Sequence, residues 1–152
     1  MDPAAIATAA FEALVETICK KYSQRPKETQ FPHVVFMVNK EGQIVGVPPE
    51  LLTSAQNSKD LLIRIRALSQ AYGAVYILFA SEVWLSEEQG ENLPVSERSD
   101  ARSAIFITLE GGATQRGTII PIGEDDTLGE PFDAPVQGTG RFTDLLGRME
   151  FN

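Results

Sequence analysis

The chain reads as one α+β domain: a mainly antiparallel, five-stranded sheet with helices packed on it, in the order α-β-β-α-β-β-β-(α). Three observations predict it. Two stretches carry apolar residues at helical spacing, apolar runs flank short Gly-containing turns before and after the second of them, and one run, 74–85, is apolar on both of its alternating faces. A length of 152 residues suits a single domain, large enough to bury a core without a disulfide or metal.

Asp2-Pro3 supplies the first helix with an N-cap and a first-turn proline, and Phe11, Leu14, Val15, Ile18 and Tyr22 make its stripe. "KKYSQRPKETQFP" is a connector. "HVVFMV" at 33–38 and "IVGVP" after "NKEGQ" predict a hairpin, with Pro48 and Pro49 ending the second strand at the rim of the sheet. "ELLTSAQNS" is a loop with room for one helical turn. A second helix is expected from Asn57 or Ser58, with Leu61, Ile65, Leu68 and Tyr72 on one face and Gly73 as its left-handed C′ residue. "AVYILFASEVWL" then predicts a strand covered on both faces, hence central. "SAIFITLE" and "GTIIPI" predict two more strands around a "GGATQR" turn. An acidic Gly/Pro-rich segment at about 123–141 follows, and Phe142, Leu145, Leu146 and Met149 predict a short terminal helix at about 142–149.

Charge divides the chain. Residues 1–73 hold eight Lys/Arg and seven Asp/Glu, while residues 74–152 hold five Arg and fourteen Asp/Glu, for a formal net charge of −8. An acidic half repels phosphate backbones, so no nucleic-acid partner is expected, whereas a partner protein with a basic surface is. Cys19 is the lone cysteine, "MDPAAIATAA" lacks the basic start of a secretory signal, and no apolar run approaches ~20 residues. These features point to a cytoplasmic chain with no membrane partner.

With one His and one Cys, no zinc set is expected, and the acidic "GEDDTLGEPFD" lacks the spacing of a calcium loop. The short "GG" and "GTG" stretches fall outside any phosphate-binding motif. No metal or other cofactor is expected. His33 and Ser81 could meet if their strands are neighbours, although "FASEVW" is not a hydrolase elbow. The densest chemistry lies between them. Ser81, Glu82 and Trp84 end the central strand, and the sixteen-residue connection 86–101 brings Arg98 and Asp100 before Arg102 opens the next strand. A buried carboxylate needs solvent or a cation, so Glu82 is expected to meet Arg98 or Arg102. That group is either a structural ion pair at a hairpin mouth or a pocket with Trp84 as its floor.

The run "AVYILFASEVW" followed by "LPVSERSDARSAIFITLE" resembles a group of small prokaryotic and phage proteins through Ser81, Glu82, Trp84, Pro94, Ser96, Glu97, Asp100 and Arg102. The resemblance spans about 33–122 and implies a bacterial or phage origin without an activity. The element order is also similar to roadblock-like and profilin-like domains, which implies an interaction or regulatory role.

Two functional expectations follow. The first is a non-catalytic interaction or regulatory protein that binds another protein, inhibition being one such action, and forms a homo-oligomer. The alternative is a protein or enzyme that binds an anionic metabolite or nucleotide at the Glu82/Trp84/Arg102 rim, with Ser81 or His33 assisting. The lack of any paired nucleophile and base in one motif favours the non-catalytic reading.

Overall fold

A computed structural model describes residues 2–22, 31–55, 58–85, 102–111, 114–133 and 149–151. It is α+β, with three helices and one antiparallel sheet. Helix α1 (Pro3–Lys21) starts where Asp2 accepts the Ala4 N–H at 3.1 Å and ends with Lys20 and Lys21 on its negative dipole end. The hairpin of β1 (Val34–Asn39) and β2 (Ile44–Gly46) follows. Asn39 closes it, because its Oδ1 accepts the Glu41 and Gln43 N–H groups while Gly42 takes a φ of 81°. The single turn α2 (Glu50–Thr53) leads to α3 (Ser58–Tyr72), which stops at Gly73 with a φ of 75°. Strands β3 (Ala74–Leu85), β4 (Arg102–Gly111), β5 (Thr114–Pro121), β6 (Phe132–Asp133) and β7 (Met149–Phe151) complete the chain.

The strand order is β2-β1-β3-β4-β5-β6, with β7 pairing β3 at Val83–Leu85. Strand β4 already occupies one edge of β3 along that length. Strand β7 therefore lies on the edge that β1 vacates after Val34↔Ala80. The sheet thus exceeds the five strands expected. Short β6 and β7 carry too few residues to show an alternating pattern, and pairing places them. Met149 is extended in β7 rather than helical, since the free ladder of β3 satisfies its backbone groups; residues 142–148 of the expected helix lie outside the described residues. Residues 114–116, read as turn, are paired as far as Gly111↔Thr114, so the β4–β5 hairpin is tighter than the sequence suggests.

Both sheet faces are covered, as the apolar β3 requires. On one face α1 sets Ala7, Phe11 and Ile18 against Leu78, Ala80, Ile105, Ile107, Leu109 and Ile120. On the other, Leu52 of α2 and Leu61, Leu62 and Ile65 of α3 pack on Val35, Met37, Ile77 and Phe79. Each of the larger of these side chains (Val, Leu, Ile, Met and Phe) contributes roughly 1.5–3 kcal/mol by leaving water. The two stripes sit on opposite faces because odd and even residues of β1 and β3 point apart.

Gly111 ends β4 against β3, and a Cβ there would run into the Tyr76 ring and the Val75 carbonyl. Gly111→Ala is expected to destabilise the fold by about 1–3 kcal/mol, read as a lower urea midpoint with an unchanged slope.

Candidate functional site: the buried polar residues of β3

The residues singled out in the sequence sit where β3 passes beyond the end of β1. His33 directly precedes β1, and the register Val34↔Ala80 carries one step further to set it opposite Ser81. The two side chains meet, with His33 Nδ1 2.6 Å from Ser81 Oγ. The imidazole stacks on Phe79, two residues back on the same face, at 6.1 Å between centroids. Ser81 Oγ also donates toward the Glu82 carbonyl at 3.3 Å, which leaves its lone pairs to accept from a protonated Nδ1. The neighbouring strand presents Phe106 opposite Ser81.

Glu82 points to the other face, the side of α1, and has no exposed surface. Its Oε1 accepts the Phe31 N–H at 3.3 Å. Phe31 is buried too, edge-on to Tyr22 at 5.5 Å. The carboxylate therefore satisfies a backbone donor that burial has removed from water, where the chain returns from α1 to the sheet.

Trp84 is half-buried, opposite Ser103 of β4 and Glu150 of β7. Arg102 pairs with Leu85 and is exposed. By strand alternation it projects from the face opposite Glu82, three positions further along, and not beside it as the sequence suggests. Arg98 and Asp100 lie outside the described residues. The predicted constellation is therefore divided by the sheet: His33, Ser81 and Arg102 on the α3 side, Glu82 and Trp84 on the α1 side.

A serine hydroxyl against an imidazole has the composition of a nucleophile and its base. Here Ser81 has no exposed surface, between β1 and β4 with Phe79 and Phe106 beside it. Ser81 Oγ is therefore closed to a substrate in this structure. Burial holds the His33 pKa below its ordinary 6.5, so the pair is neutral at pH 7. What it does is join β1 to β3 at the point where the ladder between them ends.

Among the described residues no three His, Cys, Asp or Glu side chains converge on a common point, and no helix is long and apolar enough to cross a membrane. Sequence reasoning missed a cleft of about 580 Å³ between α1 and β5–β6, lined by Phe11, Val15, Cys19, Arg116, Thr118 and Asp133, among others. Its residues come from three distant segments, and only the helix stripe was visible as a pattern. No family model, curated protein or solved structure matches the chain, so the site is read from its own geometry.

Two outcomes check the His33–Ser81 pair. Ser81→Ala should cost about 1 kcal/mol of stability through the lost hydrogen bond, and less in a His33→Gln background. The second concerns pH. Because the folded pKa lies below the unfolded one, the neutral form is the one folding favours. This contribution is full above about pH 6.5 and is lost as pH falls from there through the folded pKa. His33 is the chain's only histidine, so its imidazole proton resonances should titrate with a midpoint below 6.5. Urea midpoints at pH ~7.5 and ~5.5 should fall further for wild type than for His33→Gln.

Proposed function

We propose that the chain is a non-catalytic interaction protein that assembles with a second copy of itself through the open edge of β2. One observation carries this reading. All three residues of β2 are exposed, Ile44 and Val45 by 47% and 40%, and β1 is its sole neighbour among the described residues. Asn39 donates to the Gln43 carbonyl and Val47 to the Val35 carbonyl. In an antiparallel ladder the residues between these pairs, Ile44 and Gly46, turn their N–H and C=O groups away from β1. Such groups are a template for another strand.

Side-chain chemistry supports the same edge. Ile44 shares a face with Val38 and Val45 with Met37, so the strand offers an apolar side chain above and below the ladder. Leu51 of α2, 45% exposed, adds apolar surface shortly after β2 in the chain. Two copies related by a twofold axis would pair β2 with β2 and continue the sheet across the contact. By contrast, Ser81 and Glu82 are spent inside the protein on holding β1 and Phe31, which favours a binding role over catalysis.

Light scattering across a micromolar concentration series tests the proposal. Wild type should run as a dimer or larger species, and Ile44→Lys/Val45→Lys should shift it to monomer with a melting temperature close to wild type. A strictly monomeric wild type, or a double variant with unchanged mass, would overturn it.

A further inference from the structure

The cleft between α1 and the β5–β6 edge goes beyond the β2 contact and lies at the opposite side of the sheet. From its geometry we infer that it receives an extended, basic peptide segment of a partner protein, with apolar side chains directed inward. Three features define that occupant. The floor is apolar: Phe11, Val15 and Cys19 follow one another at four-residue spacing along α1, and Thr118 of β5 faces them. Burial and the nearby Glu130 hold the Cys19 thiol above its ordinary pKa, so it enters the floor as an uncharged group.

Length gives the second feature. The eight helical steps from Phe11 to Cys19 span about 12 Å, the reach of three or four residues of extended chain. A cleft of about 580 Å³ admits the side chains of such a segment.

Charge gives the third. Glu12 and Glu16 stand on the helix wall and Asp133 on the sheet side, and Glu130, next to the lining residue Pro131, lies near enough for its charge to act on Cys19. Arg116 lies 4.7 Å over the Phe11 ring and 3.4 Å from Glu12, and Lys20 is 2.6 Å from Glu16. Four carboxylates thus lie in or beside the cleft with two cations, and each cation is already paired with a glutamate of α1. Glu130 and Asp133 have no ion-pair partner among the described residues and are exposed. Lysine or arginine side chains flanking an apolar one would meet these two carboxylates while the apolar group covers the floor. Arg116, stacked and held by Glu12, closes one end.

Fluorescence anisotropy with a labelled, alternating lysine–leucine hexapeptide tests this on the full chain. Saturable binding is expected, weakening with added salt. Glu130→Gln/Asp133→Asn should reduce affinity about fivefold, as two exposed charge contacts would allow. Glu41→Gln/Glu50→Gln, which removes two exposed carboxylates elsewhere, should leave it unchanged. The Ile44→Lys/Val45→Lys variant should also bind as wild type, so the result is separable from the β2 contact. Equal loss in both carboxylate variants, equal binding of a glutamate–leucine hexapeptide, or no saturable binding would overturn the inference.

Discussion

The structure depends on the burial of β3 on both faces. Every residue from Ile77 to Val83 is nearly or wholly removed from water. Such a strand cannot lie at an edge, and it cannot leave its backbone groups unpaired. It accordingly carries β4 along one side and β1 followed by β7 along the other. The two helical layers answer the same constraint, since each of its faces needs apolar cover.

Polar groups on such a strand are costly unless satisfied, and that explains what Ser81 and Glu82 do. Ser81 is matched by His33 across the ladder, and Glu82 by the Phe31 backbone on the reverse face. Both contacts fasten the segment 31–33, where the chain leaves the α1 layer and enters the sheet. Polar contacts at this place specify a register more sharply than apolar ones, because a slip of one residue would reverse the faces and strand both groups. Thr108, opposite Phe79 on β4, is a buried hydroxyl without a hydrogen-bond partner among the described residues.

The surfaces proposed for binding lie at the periphery, where the constraint relaxes. Strand β2 is exposed on both faces, and at the β5–β6 side a cleft lies under α1. Edge and cleft belong to opposite ends of one sheet. They differ in chemistry accordingly: an apolar strand with outward-turned backbone groups at one end, and an apolar floor with carboxylate walls at the other.

Periodicity and capping chemistry made most of the elements legible. Asp2-Pro3, Gly73, the "NKEGQ" turn and the unbroken run 74–85 each express a local rule, so α1, the β1–β2 hairpin, α3 and β3 follow from the sequence alone. The meeting of His33 and Ser81 needed one further fact, that β1 lies beside β3. Which elements become neighbours depends on contacts between segments far apart in the chain, and no local pattern encodes them. For that reason only the tertiary structure decided that Arg102 and Glu82 project from opposite faces, that Met149 joins the sheet as a strand, and that Arg116 comes to rest on Phe11 beside the cleft.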